Sequence, residues 1–126
     1  MTVLDASAVL ALIHGEPGHE IVAAEIDDAL LGTANLAEVV GKVLDVGGEA
    51  GRVRHLLEAA GVVIEPVTAA DAELAGALRD IEGGRALSLG DRCCLALALR
   101  ADSPEVLTAD RAWVELDLPL RVRLIR

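Results

Sequence analysis

The N-terminal stretch that decides the fold reads TVLDASAVLALI and runs from Thr2 to Ile13. Residues 2–4 are predicted to form a short buried strand, and residues 6–13 a helix that Gly15 stops. Asp5 separates the two apolar runs. The stretch therefore predicts a strand that leads directly into a helix, with one carboxylate at the junction.

Helices and strands alternate along the rest of the chain. Further strands are predicted at residues 31–34, 62–67, 106–108 and 121–125, with helical segments between them. A strand–helix–strand alternation favours parallel pairing, with helices on both faces of the sheet. The predicted fold is thus α/β, with three layers around a central, mainly parallel sheet flanked by helices.

Polar residues and glycines mark the predicted helix ends. Asn35 is expected to cap a helix through residue 46, and Ser88 to cap another over residues 89–101. Thr68, with Asp71 three residues later, marks a further helix start. Helices are also predicted after Pro17, with apolar positions reaching residue 31, and over residues 49–60.

Length and composition restrict the class of protein. The 126 residues are 53% hydrophobic, which suits one domain spanning residues 1–126 with a full core. No apolar run approaches the ~20 residues of a membrane span, and the N-terminal run lacks a basic leader. Cys93 and Cys94 are adjacent in a helical pattern, so we expect no disulfide between them and a reducing cytoplasm as the compartment.

The charge balance is strongly acidic. The formal net charge is -10, from 21 acidic and 11 basic residues. Taken alone, this argues against a nucleic-acid partner, because phosphate contacts need Lys and Arg. Ten of the 11 basic residues are arginines, however, and Arg is suited to bidentate contact with phosphate. An acidic protein can act on RNA if some of its acids hold a metal ion and its arginines gather around that metal.

Four acidic residues occupy similar positions relative to the predicted elements. Asp5 ends the first strand and Asp110 follows the strand at 106–108, while Glu38 and Asp91 lie in the first turns of helices. In an open parallel sheet such positions share one edge, where ligand crevices form. We therefore predict that these four carboxylates converge.

Each of these acids also has a structural interpretation. Glu38 and Asp91 complete capping boxes with the polar residue three positions earlier, and Asp5 and Asp110 are acceptable N-caps. As a set, however, four neighbouring carboxylates would raise one another's pKa values unless a cation neutralised them. Oxygen ligands without His or Cys favour Mg²⁺ or Mn²⁺. The sequence thus predicts a divalent-metal site.

Four motifs surround these acids: VLDASA at residues 3–8, NLAEV at 35–39, LSLGDR at 87–92 and LTADR at 107–111. Their order and spacing, in a chain of this size, resemble the PIN-domain ribonucleases from end to end. Within that family they look like the VapC-type toxins of bacterial toxin–antitoxin pairs. The resemblance implies a single PIN-like domain.

The resemblance also implies an activity. It is that of a metal-dependent endoribonuclease, which hydrolyses RNA phosphodiester bonds by metal-activated water without a covalent intermediate. Asp5, Glu38, Asp91 and Asp110 match the catalytic quartet, and Asp5, Asp91 and Asp110 the ligands of Mg²⁺ or Mn²⁺. Glu38 could ligate the metal or orient water as a general base.

Supporting residues and partners follow from the same resemblance. Ser7 and Thr108 match small hydroxyl positions beside the metal, with local backbone capping as the alternative. Arg92 and Arg111 each follow an acid and could pair with it or meet phosphate. The family further implies a cytoplasmic homodimer, an RNA substrate of the tRNA or ribosomal class, and inhibition by a cognate VapB-like antitoxin.

Other functions fit the residues less well. A phosphoacceptor receiver domain needs a Lys after a late strand, but the only one, Lys42, lies in a mid-chain helix. A haloacid-dehalogenase-like phosphatase needs an Asp where Ser7 stands. A nucleotide-binding module needs a Gly-rich loop after a strand, and neither Gly47-Gly48 nor Gly83-Gly84 follows one. A non-catalytic RNA-binding or interaction domain of the same fold is the alternative, which an intact quartet disfavours.

Overall fold

The computed structural model describes residues 1–101 and 105–126, and its centre is one five-stranded sheet. Its strands are β1 (Thr2–Leu4), β2 (Leu30–Gly32), β3 (Val63–Glu65), β4 (Glu105–Thr108) and β5 (Arg121–Leu124). Their order is β3-β2-β1-β4-β5, and the strand pairs of the described residues are all parallel. The predicted α/β fold with a mainly parallel sheet is confirmed.

Six α-helices lie within the described ranges. They are α1 (Ala6–His14), α2 (His19–Glu25), α3 (Thr33–Asp45), α4 (Val53–Ala59), α5 (Ala69–Ala77) and α6 (Leu89–Arg100). Short 3-10 turns precede α4 and α6, follow α5 and connect β4 to β5. The helix predicted over residues 49–60 is therefore a 3-10 turn followed by α4.

Alternate side chains of the strands enter two cores, one on each face of the sheet. Leu4 and Leu107 join a core with α1, α3 and α4. Val3 and Val106 join a second core with α6 and with Trp113, which is fully buried. The sheet is therefore the middle of three layers, as predicted, and Trp113 packs its 3-10 turn onto the sheet.

The structure corrects two helix boundaries between α1 and α3. The helix predicted to reach residue 31 ends at Glu25, and a turn with Asp28 in the left-handed region (φ 65°) leads into β2. α3 then begins at Thr33, directly after the strand, with Gly32 at the N-cap. Asn35 is therefore not the cap that the sequence predicted. It lies in the first turn of α3 with only 1% of its surface exposed.

The strand order creates a crevice at the centre of the sheet. From β1 the chain continues to β2 and β3 on one side, while β4 and β5 lie on the other. The direction of the crossovers thus reverses between β1 and β4. Open α/β sheets bind ligands at the carboxyl ends of the two strands that flank such a reversal.

No helix among the described residues is long and apolar enough to cross a membrane. Cys93 and Cys94 are both free, as expected. Complete burial raises the pKa of the Cys94 thiol well above its ordinary value, so this group stays protonated at neutral pH.

Candidate active site

The four acidic residues singled out from the sequence meet at one cavity. It has a volume of about 240 Å³, and its lining includes Asp5, Ser7, Glu38, Lys42, Asp91 and Asp110. Asp5 follows β1 and Asp110 follows β4, so these two acids flank the reversal point of the sheet. Glu38 projects from α3 and Asp91 from α6. Four different elements therefore bring their carboxylates to the same edge.

A second cavity, of about 330 Å³, lies beside α4. Aliphatic side chains such as Val43, Val46 and Leu56 form much of its lining. Such a surface offers few convergent polar groups. The cavity where the four carboxylates converge is the candidate active site.

Two hydroxyl groups hold the side chain of Asp5. Ser7 Oγ and Thr108 Oγ1 donate hydrogen bonds of 2.7 and 2.8 Å to the same oxygen, Asp5 Oδ2. The two hydroxyl oxygens in turn accept the backbone N–H groups of Ala109 and Asp110, at 2.9 and 3.0 Å. Both hydroxyls thus bind Asp5 Oδ2, and neither forms a hydrogen bond with Oδ1.

Asp5 is kept in an environment that disfavours its charge. It stands at the N-cap position of α1, but its side chain forms no capping hydrogen bond, so the capping interpretation does not account for it. Burial raises the pKa of the Asp5 carboxyl, the Ser7 and Thr108 bonds oppose this, and the charge of Asp91 adds to it. Perturbed carboxyls of this kind cluster at functional sites.

Glu38 is held by a side chain that the sequence did not mark as a site residue. Asn35 Nδ2 donates to Glu38 Oε1 at 2.8 Å and to the backbone carbonyl oxygen of Gly90 at 3.0 Å. The amide therefore ties α3 to the first turn of α6 at the edge of the cavity. No side-chain cap is formed at the start of α3, so the capping-box interpretation of Glu38 is wrong.

Gly90 leaves room for the Glu38 carboxylate. A Cβ atom at residue 90 would overlap both carboxylate oxygens of Glu38. Burial raises the pKa of Glu38, the Asn35 bond lowers it, and the neighbouring charges of Asp5 and Asp91 raise it again. The glycine thus allows a carboxylate on α3 to lie against the helix that carries Asp91.

Asp91 and Asp110 combine a structural contact with their place in the cavity. Asp91 Oδ2 accepts the Ser88 backbone N–H at 2.9 Å, and Ser88 Oγ accepts the Asp91 N–H at 3.1 Å, so the predicted capping box is confirmed. Asp110 Oδ1 accepts the Ala112 N–H at 3.0 Å. These capping bonds use one oxygen of each carboxylate, which leaves the other for a ligand.

The sequence matches a known domain family over most of its length. The family model of the PIN domain covers residues 2–118. The chain belongs to the PIN domain family. The resemblance seen in the four motifs is thereby confirmed.

Solved structures share the fold of this PIN domain. A chain of a toxin–antitoxin complex from Klebsiella pneumoniae has a TM-score of 0.74 at 19% identity, covering 96% of this chain and 99% of that one. The sarcin-ricin loop cleaving toxin VapC20 of Mycobacterium tuberculosis has a TM-score of 0.73 at 17% identity, with coverage of 96% and 99%. A chain of Rickettsia felis VapBC2, bound to a DNA fragment from its promoter, has a TM-score of 0.71 at 15% identity, with coverage of 98% and 97%.

At such identities the solved structures show a shared fold, and no curated protein matches the sequence. The chemistry of the acidic cavity in this PIN domain therefore depends on its own residues.

The donor atoms of the cavity fit a hard divalent cation. Four carboxylates supply oxygen ligands without His or Cys, the set that Mg²⁺ and Mn²⁺ prefer. Burial is the main cause of the raised pKa values of Asp5 and Glu38, and the charges of neighbouring acids add to it, so a bound cation would stabilise both carboxylates. Among the described residues, no three His, Cys, Asp or Glu side chains are already gathered as a metal-binding group. The chemistry of the donors therefore fits, whereas a closed set of ligands is not preformed.

The two arginines expected beside the acids of the PIN domain lie in different surroundings. Arg92 is 8% exposed, and its Nη1 donates to the Ala75 carbonyl oxygen in the last turn of α5 at 2.8 Å. Such a contact is typical of a cation that caps a helix C-terminus. Arg111 is exposed on the 3-10 turn after Asp110. A role for either arginine at phosphate stays a prediction.

Sequence reasoning missed the groups that hold Glu38. The sequence pattern predicts Asn35 as a helix cap and assigns no role to Gly90. Both lie inside the NLAEV and LSLGDR motifs, so their positions were available. What the sequence could not supply was the contact between α3 and α6 that brings Asn35, Glu38 and Gly90 together.

Proposed function

We propose that this PIN domain, over residues 1–126, is a metal-dependent endoribonuclease toxin that a cognate antitoxin inhibits. The observation that carries the proposal is the convergence of Asp5, Glu38, Asp91 and Asp110 on one cavity at the carboxyl-terminal edge of the sheet. Such a set of oxygen donors suits a divalent metal and a phosphodiester substrate.

The proposed roles follow from the contacts of each acid. Asp5, Asp91 and Asp110 hold Mg²⁺ or Mn²⁺, which when bound lowers the pKa of water and stabilises charge on phosphate. Ser7 and Thr108 fix the orientation of Asp5 through its Oδ2 atom. This leaves Oδ1 in a defined position toward the ligand.

Glu38 is the proposed general base. Its raised pKa lies closer to neutral pH than that of an ordinary Glu, which makes the carboxylate a better general base. Asn35 fixes the position of Oε1, so the second oxygen, Oε2, is the one that can accept a proton from the attacking water. The reaction forms no covalent bond to the protein.

The solved structures support the proposed substrate and partners. VapC20 is described as cleaving the sarcin-ricin loop, and similar chains come from toxin–antitoxin complexes. By this likeness we propose an RNA substrate of the tRNA or ribosomal class and a VapB-like antitoxin. We further propose that the chain acts in the cytoplasm as a homodimer.

The proposal is tested by incubating purified protein with total tRNA and ribosomal RNA in Mg²⁺ or Mn²⁺ and mapping the cleaved ends. Wild-type protein should cut, and Asp91→Asn should lower the rate by about 100-fold or more. Asn can still accept a capping hydrogen bond, so α6 should stay folded. Asp45→Asn is the matched control, because Asp45 is an exposed acid at the end of α3.

The variants separate a true site from a contaminant. Equal cleavage by wild-type protein and Asp91→Asn would show that the activity comes from elsewhere. Loss of cleavage in Asp45→Asn as well would indicate a general effect of charge. Antitoxin inhibition is then measured by adding a candidate VapB-like antitoxin to the same assay.

A further inference from the structure

Lys42 is the only lysine in the chain, and it lines the cavity that holds the four carboxylates. It lies on α3 four residues after Glu38, so both side chains project from the same face of the helix. No arginine is part of the described lining of this cavity. Lys42 is therefore the one basic side chain in the described lining of this cavity.

The Lys42 ammonium is exposed and forms no salt bridge within 4.0 Å of any described acid. Glu38 would be the obvious partner, but its carboxylate lies against Gly90 and accepts from Asn35 instead. By contrast, six of the ten arginines pair with described acids: Arg52, Arg54, Arg85, Arg100, Arg121 and Arg123.

An acidic cavity repels a polyanion, so a phosphodiester needs positive charge from the protein as well as from a metal. A lysine ammonium is a compact point charge that binds phosphate readily. We infer that Lys42 is a substrate-binding residue, whose ammonium contacts a non-bridging oxygen of the RNA phosphate at the scissile bond or next to it. The inference rests on the proposed ribonuclease function and adds a residue to it.

A structural role for Lys42 makes different predictions. A Glu–Lys pair four residues apart on a helix stabilises that helix slightly. Such a role would appear as a small change in melting temperature and would leave RNA affinity unchanged. A phosphate contact would instead appear in the KM and in the salt dependence of the reaction.

The test compares Lys42→Met, Lys42→Arg and the control Arg79→Gln. Arg79 is an exposed cation outside the cavity lining. With the RNA that wild-type protein cuts, Lys42→Met should raise KM by about tenfold or more, with a smaller change in kcat. It should also reduce the slope of log(kcat/KM) against log[salt] by about 0.7–0.9, the value for one phosphate contact. Lys42→Arg should restore most of the affinity, and Arg79→Gln should match wild type.

Binding of fluorescein-labelled tRNA, followed by anisotropy, separates this inference from the proposed function. Weaker binding by Lys42→Met, together with an absence of cleavage by the wild-type protein, would support the phosphate contact and overturn the ribonuclease. The opposite result is that Lys42→Met cleaves RNA with the same KM, salt slope and tRNA affinity as wild-type protein. That result would overturn the role of Lys42 but would not contradict the proposed ribonuclease activity. An equal loss in Arg79→Gln would also overturn it, because it would show a non-specific effect of charge.

Discussion

Thr108 and Asp5 are 103 residues apart in the sequence, and the Thr108 hydroxyl donates a 2.8 Å hydrogen bond to Asp5 Oδ2. The contact is possible because β4 and β1 are parallel neighbours, with Leu107 paired to Leu4. One hydroxyl thus connects the ends of the two strands that flank the reversal of the sheet. The first prediction concerns this bond.

Thr108→Val should destabilise the protein by about 1–3 kcal/mol, because it removes a donor to a buried carboxylate and leaves the Asp110 N–H without its acceptor. Urea unfolding measures the change. Thr2→Val is the control, since Thr2 is also buried on the sheet but its hydroxyl lies 3.5 Å from Glu25, a marginal hydrogen bond. Equal losses in both variants would contradict a special role for the Thr108 hydroxyl.

Gly90→Ala should lower RNA cleavage by about 10- to 100-fold, because the new methyl group displaces the Glu38 carboxylate. Steady-state kinetics measure the effect. Gly76→Ala is the matched control: Gly76 lies in α5, and a Cβ there meets nothing within 4 Å. It should raise stability by about 0.5–1 kcal/mol and leave cleavage unchanged. Full activity in Gly90→Ala would mean that the position of Glu38 does not matter.

Metal binding should depend on pH through Asp5 and Glu38. Their pKa values lie above the ordinary 3.8 and 4.5, so without metal the folded state binds more protons than the unfolded state, and stability falls as pH rises through the raised values. A bound divalent ion removes this penalty. At about 100 times its Kd, Mg²⁺ should add about 2.7 kcal/mol at pH 7. The gain should be lost as pH falls through the raised pKa values.

Thermal melts with and without Mg²⁺, at several pH values, measure this dependence. Asp91→Asn should show a smaller metal-induced shift than wild type at pH 7. A shift of the same size at pH 4 and pH 7 would contradict binding through ionised carboxylates.

Asp71 differs from Asp5 and Glu38 because its pKa is lowered, so its charged form stabilises the folded protein. Burial alone would raise the pKa of Asp71, but the Thr68 N–H and the Arg100 side chain, at 2.7 Å, outweigh it and lower the pKa below 3.8. Its stabilisation is therefore complete above pH 3.8 and is lost as pH falls through the lowered value. Asp71→Asn should lower stability at pH 7 and flatten the acid limb of the unfolding curve, while RNA cleavage by the folded protein persists. An unchanged acid limb would contradict this assignment.

The two capping boxes show what could be predicted from sequence. Thr68 with Asp71, and Ser88 with Asp91, follow the same pattern, and both boxes form. The sequence did not show that Arg100, 29 residues away, takes the second oxygen of Asp71, while Asp91 faces the acidic cavity. Local sequence patterns therefore predict where the helices start. Tertiary contacts determine which of the two acids keeps an oxygen free to bind a ligand.

The fold and the four acids were predictable for a related reason. Strands of β-branched and aliphatic residues alternate with helices, and parallel strands place their carboxyl ends at one edge whatever the details of packing. The pattern predicts a cap at Asn35, but β2 ends at Gly32, and a shift of the cap by three residues makes Asn35 a buried side chain in the first turn of α3. Element boundaries of this precision depend on how the chain packs.

The two hydroxyls on Asp5 have a practical consequence for handling the protein. In Asp5→Asn, the amide oxygen can take the place of Oδ2 and accept from Ser7 and Thr108, so the NH₂ group must occupy the position of Oδ1. An NH₂ group cannot coordinate a cation, yet the Ser7 and Thr108 hydroxyls both keep their acceptor. Asp5→Asn should thus give a folded but catalytically inactive protein that host cells tolerate. Such a protein would be suitable for capturing intact RNA.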